Sequence, residues 1–101
     1  MAKGYWLARL TVTDQPNYAE YRKRNEKIFA KFGGRFIVRG GKAEAAIGPK
    51  RQHNVVLEFA SYEQAVACFH SPTYQEASQF LTKGCDVDIV ICEGYEGTQP
   101  A

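Results

Sequence analysis

The chain has 101 residues, of which 45% are hydrophobic and 24% are charged. This is the composition of an ordinary globular protein, so a collagen-like, disordered or disulfide-scaffold chain is excluded. Thirteen Lys and Arg residues against 11 Asp and Glu residues give a formal net charge of +2, too small to indicate nucleic acid or an anionic membrane as a partner. The length predicts one domain over residues 1–101, with an ordered core at about 4–97.

Apolar runs, the first residues and the cysteine pattern together predict a cellular location. No apolar run approaches the roughly 18 residues that a membrane span requires. Residues 1–9 contain neither a long apolar stretch nor a small-residue cleavage site, so we expect a cytoplasmic protein. Cys68, Cys85 and Cys92 are odd in number and form no CxxC pair, which favours reduced thiols.

The chain begins with a predicted strand and helix. Residues 5–12 alternate with the period of two that is typical of a strand. Asp14, followed by Pro16, predicts the start of a helix over 15–32, and Gly33 is a residue type that commonly follows a helix end.

A hairpin and a further strand are predicted next. Residues 35–39 are rich in β-branched and aromatic side chains, and the Gly40-Gly41 pair predicts a tight turn into a short strand at 42–47. After a polar loop, residues 54–59 predict another strand.

The remaining residues predict a broken helix and a last strand. Ser61 with Gln64 is the sequence pattern of a capping box. Pro72 interrupts this helix, and a second helical piece is predicted over 72–81. Residues 86–95 predict the last strand.

The predicted order of elements is β-α-β-β-β-α-β. For about 100 residues this order predicts an α+β sandwich, in which two helices cover one face of an antiparallel sheet. With right-handed crossovers, the split β-α-β arrangement is the simplest topology that places both helices on one face.

Alternation also predicts which side chains share a sheet face. The face assigned to the core carries Trp6, Ala8, Leu10, Val12, Phe36, Val38, Val55, Leu57, Phe59, Val90 and Cys92. The opposite face is predicted to carry Tyr5, Leu7, Arg9, Ile37, Arg39, Val56, Glu58, Ile89, Ile91 and Glu93. Because this second face is too apolar to remain in water, we expect a homodimer formed by the same face of two copies.

Five motifs resemble one known family. They are GYWLAR at 4–9, FGGRFIVRGG at 32–41, VLEFASYEQA at 56–65, SPTY at 71–74 and ICEGY at 91–95. In this order they resemble the family of the domain of unknown function 1330, over about residues 4–97. The resemblance implies a ferredoxin-like, dimeric α+β barrel related to small antibiotic-biosynthesis monooxygenases. It implies no activity, since none is established for the family.

Four charged residues on the predicted dimer face are candidates for a function, namely Arg9, Arg39, Glu58 and Glu93. They would hold an anionic or polar ligand inside the barrel, because a guanidinium offers a rigid fork to a carboxylate. The alternative, which we favour, is that they pair with one another when dimerisation removes them from water.

Asn25 occupies a position of the first helix where the period calls for an apolar residue. Together with Trp6, Tyr21 and Tyr74 it is predicted to line a ligand pocket between sheet and helices, with aromatic walls and a polar handle. The alternative is an amide that points to solvent, with the tyrosines in ordinary core packing.

No metal or other cofactor is predicted. His53 and His70 lack convergent ligands, and nothing joins Asp86 and Asp88 at the spacing of a metal site. Cys68 lies two residues from His70 on a helix, so the two side chains do not face each other as a nucleophile and its base would.

A basic cluster on the first helix comprises Arg22, Lys23, Arg24, Lys27 and Lys31. Glu20 and Glu26 interleave with it, which is typical of a solvated helix face, and no aromatic platform is interleaved on its exposed side to stack bases. We therefore expect no nucleic-acid partner.

The functional expectation is a small homodimer of uncharacterised activity that binds a small molecule between sheet and helices. The alternative is a cofactor-independent oxygenase or isomerase acting on a small aromatic or polyketide-like substrate, which rests on fold analogy. A perturbed acid or base in the pocket would distinguish the two, but Glu58 is the only carboxylate well placed in a strand and is predicted to face the dimer side.

Overall fold

The computed structural model describes residues 2–101. Its elements in chain order are β1 (Gly4–Val12), α1 (Gln15–Lys31), β2 (Arg35–Arg39), β3 (His53–Phe59), α2 (Tyr62–His70), α3 (Pro72–Gly84) and β4 (Cys85–Glu93). The strands form one antiparallel sheet in the order β2-β3-β1-β4. Side chains of all three helices join the same core cluster as the sheet, so the predicted α+β fold is confirmed.

Local capping begins and ends α1 close to the predicted residues. The side chain of Asp14 accepts a hydrogen bond from the Asn17 amide at 3.3 Å, which satisfies one of the free amides of the first turn. Beyond Phe32, Gly33 adopts a φ of 75°, a left-handed conformation that glycine reaches without strain.

The predicted capping box at the start of α2 forms only in part. Ser61 accepts a hydrogen bond from the Gln64 amide at 3.1 Å, as expected of an N-cap. The Gln64 side chain does not return to Ser61 but donates to the carbonyl oxygen of Phe32 at 3.1 Å. It therefore ties α2 to the end of α1.

Ser71 separates α2 from α3, where the sequence predicts a break before Pro72. Its hydroxyl donates to the Cys68 carbonyl at 2.8 Å and accepts from the Tyr74 amide at 3.2 Å. One side chain thus ends the first helix and caps the second, and this turn places Tyr74 in the core.

The predicted strand at 42–47 is wrong. Residues 40–52 form a loop between β2 and β3, and Ile47 at its tip is 98% exposed. The position beside β2 is taken by β3, which pairs with it directly. Residues 42–47, mainly Ala and charged side chains, are poor strand formers and find no partner strand in the described sheet.

The register of β4 reverses the faces predicted for that strand. The residues concerned are Ile89, Val90, Ile91, Cys92 and Glu93. Ile91 pairs with Trp6 and therefore points to the helices, whereas Val90 pairs with Leu7 and is 57% exposed. Glu93, opposite Gly4, shares the helix side rather than the dimer face. Residues 89–92 are apolar at both parities, so alternation alone could not choose the face.

A β-bulge in β2 reverses the predicted faces beyond Phe36. Phe36 pairs with Leu57, but Val38 pairs with the next partner, Val56, so one extra residue is accommodated between them. Val38 therefore lies on the side predicted for Arg39. Arg39 pairs with Val55 and points to the helices, so its assignment to the dimer face is wrong.

Trp6 lies at the centre of the core. Its ring meets Phe29 and Tyr74 edge-on, with centroids 5.2 and 5.0 Å apart. The indole Nε1 donates to the Ala65 carbonyl at 2.9 Å, which satisfies its only polar group. Trp6 thereby connects β1 to all three helices.

Candidate functional site

Two adjoining cavities lie between the sheet and α1. The outer cavity has a volume of about 260 Å³ and opens beside β2, and the inner cavity has a volume of about 40 Å³. Asn25, Phe36 and Val55 line both cavities. The site is therefore one recess with a wide outer part and a narrow inner end.

The inner end is almost entirely apolar. Its wall includes Trp6, Tyr21, Phe29, Leu57 and Leu81. A single water needs roughly 10–15 Å³ measured in this way, so the inner end admits a few waters or one small substituent. Trp6 and Tyr21, both predicted to line a pocket, thus lie on the wall of this inner end.

Asn25 is the buried polar group of this recess. It is 5% exposed, which is incompatible with the alternative of an amide in solvent. Its Oδ1 has no hydrogen-bond partner among residues 2–101. An unsatisfied buried acceptor costs about 1–3 kcal/mol, so a ligand donor that reaches Oδ1 would recover free energy.

Tyr74 lies behind the recess and not on its wall. Its hydroxyl is 2.8 Å from the hydroxyl of Tyr21, and its ring packs against Trp6. Burial raises the pKa of Tyr74 to about 12, and burial together with Tyr74 raises the pKa of Tyr21 well above its usual range. Both hydroxyls remain protonated near neutral pH, so this pair supplies hydrogen bonds rather than a base.

The opening of the recess is cationic. Arg22, Arg39 and His53 line it together with the Tyr18 and Phe36 rings, and no carboxylate of residues 2–101 lines the outer cavity. The Arg39 guanidinium lies 4.0 Å from the centroid of Phe36.

Contacts with neighbouring side chains hold the residues of this opening in position. The Tyr18 ring stacks on His53 with centroids 6.0 Å apart, and Arg22 lies 5.9 Å from the Tyr18 ring. Glu26 accepts a hydrogen bond from Arg39 Nη2 at 3.0 Å at the solvent edge.

Arg22 and His53 line the opening although the sequence singled out neither as a site residue, and Arg39 lines it although it was predicted for the dimer face. Arg22 looked like part of a solvated helix face, and His53 like a loop residue. Tyr18, Arg22 and Asn25 are four and three residues apart, a spacing that aligns side chains on one helix face and was the available signal. Nothing in the sequence indicated that Arg39 points into the recess, because the bulge in β2 that turns it inward leaves no recognisable sequence pattern.

The predicted quartet of charged residues is not brought together. On the open sheet face, Glu58 accepts hydrogen bonds from the Tyr5 hydroxyl and from Arg35 Nε, both at 3.0 Å. Arg35 is the main cause, and Tyr5 the second, of the lowered pKa of Glu58. Arg9 donates to Asn54 and to the Pro49 carbonyl instead of to Glu58.

The open sheet face remains strongly apolar. Leu7 is 42% exposed, and its paired neighbours Val56 and Val90 flank it on β3 and β4. Ile37 and Val38 add further exposed apolar surface on β2. All three described helices pack on the other side, so nothing among residues 2–101 covers this face.

The acidic pair near the start of β4 is already engaged. Arg51 contacts Asp86 at 3.1 Å and Asp88 at 2.8 Å. Within residues 2–101 no three His, Cys, Asp or Glu side chains come together as metal ligands would. Within the same residues, no helix is long and apolar enough to cross a membrane.

We expect the three cysteines to differ in reactivity. Cys68 and Cys85 are buried, and burial raises the pKa of the Cys68 thiol to about 12, so little thiolate forms there. Cys92 is partly exposed on the open face. Iodoacetamide at neutral pH should alkylate Cys92 before Cys68 and Cys85 in the native protein, and all three cysteines after unfolding, as mass spectrometry would show. Native labelling of Cys68 at a similar rate would contradict this packing.

The fold is a ferredoxin-like α+β sandwich with an open sheet face and a recess under its first helix. Residues 3–95 match the model of the domain of unknown function DUF1330. The chain belongs to this family. A comparison with curated protein sequences gave no match.

Solved structures share the fold at low sequence identity. A protein of unknown function from Rhodopseudomonas palustris is 18% identical with a TM-score of 0.77, over 95% of this chain and 85% of that one. SnoaB, a cofactor-independent oxygenase from Streptomyces nogalater, is 14% identical with a TM-score of 0.65, over 100% of both chains. A dimeric protein of unknown function with a ferredoxin-like fold from Bacteroides fragilis is 15% identical with a TM-score of 0.62, over 90% of this chain and 95% of that one.

Proposed function

We propose that this protein is a homodimer that binds a small molecule in the recess between the sheet and α1. The observation that carries the proposal is Asn25, a buried amide whose Oδ1 lacks a partner beside a cavity of about 260 Å³. Ligand sites commonly combine apolar walls with a few such polar groups. A bound hydrogen-bond donor would satisfy Asn25.

The homodimer is supported by the open sheet face. Its centre is the apolar group Leu7, Val56 and Val90, and monomers rarely leave a contiguous apolar patch of this kind in water. A two-fold axis would pack the same face of two copies together. The structural neighbour from Bacteroides fragilis is described as dimeric.

Replacing Asn25 by Leu tests the binding site. We expect Asn25→Leu to raise the free energy of unfolding by about 1–3 kcal/mol, because the unsatisfied acceptor is removed, and to abolish binding of aromatic fragments that carry a donor. Thermal denaturation and a fragment titration followed by NMR measure the two effects. Gln79→Leu, which makes a similar change on an exposed position of α3, should alter neither. Higher stability with unchanged binding would show that Asn25 is only an imperfect core residue.

A second candidate function is a cofactor-independent oxygenase or isomerase. It is supported by the fold shared with SnoaB and by His53, an imidazole at the opening of the recess. Oxygen uptake and product analysis with any identified ligand, in the absence of added cofactor, would test it. Turnover that is lost in His53→Gln with ligand affinity unchanged would support catalysis, whereas unaltered ligand recovered in full would support binding alone.

A further inference from the structure

We infer that the ligand of this recess is a single-ring aromatic carboxylate with a hydroxyl group at the far end of the ring. The inference rests on the proposed function and adds the chemical class of the ligand. Three independent features of the recess carry it, namely its volume, the charge of its opening and the unsatisfied acceptor at its inner side.

The volume of the recess suits one ring. An engineered cavity of about 150 Å³ holds benzene, so an outer space of about 260 Å³ accepts a ring with one substituent. The inner end, at about 40 Å³, is too small for a second ring and accepts a hydroxyl or methyl group. Tyr18 and Phe36 provide aromatic surface on the wall of the outer space.

The charge of the opening selects an anion. Arg22 and Arg39 both line it, and Glu26 binds Arg39 through one nitrogen at 3.0 Å. A guanidinium has five N–H donors in a fixed plane, so Arg39 retains donors for a carboxylate. Its position over the Phe36 ring holds this plane at the mouth of the recess before any ligand enters.

Asn25 selects a hydroxyl at the other end of the ligand. The amide lines both the outer and the inner cavity, and its free Oδ1 accepts but cannot donate a hydrogen bond. A hydroxyl across the ring from the carboxylate would reach this side while the carboxylate remains at the arginines. An ether or a methyl group there would leave Oδ1 unsatisfied.

Three probes test the carboxylate and the hydroxyl group separately. Isothermal titration calorimetry on the full chain measures the affinity for each probe. We expect 4-hydroxybenzoate to bind about ten-fold more tightly than 4-hydroxybenzamide, which lacks the charge, and about ten-fold more tightly than benzoate, which lacks the hydroxyl. Arg39→Gln should bring the ratio of hydroxybenzoate to hydroxybenzamide affinity close to one. Arg22→Gln should reduce the same ratio and serves as a second variant if Arg39→Gln is poorly folded.

Arg24→Gln is the matched control, since it removes the same charge from α1 at a residue that packs over Phe80, outside the recess. It should leave the ratio unchanged. Equal affinities for 4-hydroxybenzoate and 4-hydroxybenzamide, both lost in Asn25→Leu, would overturn the inferred charge and leave the proposed function standing. If no probe binds, the inferred ligand class is contradicted, and the proposed function is decided by the separate fragment titration with Asn25→Leu. If all three probes bind equally well to the wild type and to Asn25→Leu, both the inference and the proposed binding site are contradicted.

Discussion

Replacing Leu7 by Asp should convert the protein from a dimer, with a mass of about twice 11.3 kDa, into a monomer. Leu7 lies on the inner strand β1, between Val56 and Val90, at the centre of the open face. A carboxylate here would be removed from water without a partner, at a cost of several kcal/mol for each copy. Light scattering at micromolar concentration measures the change.

The helix layer provides the control for this prediction. Gln79→Glu also adds one negative charge, at an exposed position of α3 on the other side of the sheet, and should leave the mass unchanged. In the Leu7→Asp variant we also expect faster alkylation of Cys92, because dimerisation would cover the open face where it lies. A wild-type protein that is monomeric under these conditions would contradict the dimer.

Replacing Trp6 by Ala should lower the free energy of unfolding by about 3–5 kcal/mol, as is typical when a buried aromatic side chain is removed. Trp6 packs edge-on against Phe29 and Tyr74 and bonds to the Ala65 carbonyl, so its loss opens a cavity where sheet and helices meet. This is a large part of the roughly 5–15 kcal/mol that stabilises a typical domain. Urea denaturation gives the value.

Two further variants are compared with Trp6→Ala to show which part of the Trp6 side chain stabilises the protein and that its buried position matters. Trp6→Phe keeps an aromatic ring but loses the Nε1 donor, and it should cost less than Trp6→Ala. Tyr95→Ala removes an aromatic side chain that is 70% exposed, so it should change the free energy of unfolding by no more than about 0.5 kcal/mol. Equal losses for Trp6→Ala and Tyr95→Ala would show that Trp6 is not the centre of the core.

Features that depend on neighbouring residues were predictable from the sequence. Asp14 and Ser61 cap helices through amides only three residues further along the chain. The aromatic positions of α1 identified its buried side, and with them Asn25 as a polar exception. The family motifs and the order of elements were sufficient for the α+β fold, because local periodicity and short connections leave few topologies.

Features that depend on pairing between distant strands required the tertiary structure. A single bulge between Phe36 and Val38 turns Arg39 from the open face to the recess, and the register against β1 turns Glu93 the same way. A shift of one residue reverses the face of every following side chain, and an apolar run such as 89–92 carries no local signal that would set the shift. The helix caps are therefore properties of the sequence, whereas the burial of Asn25 and the cationic opening are decided only once β2, β3 and α1 are packed together.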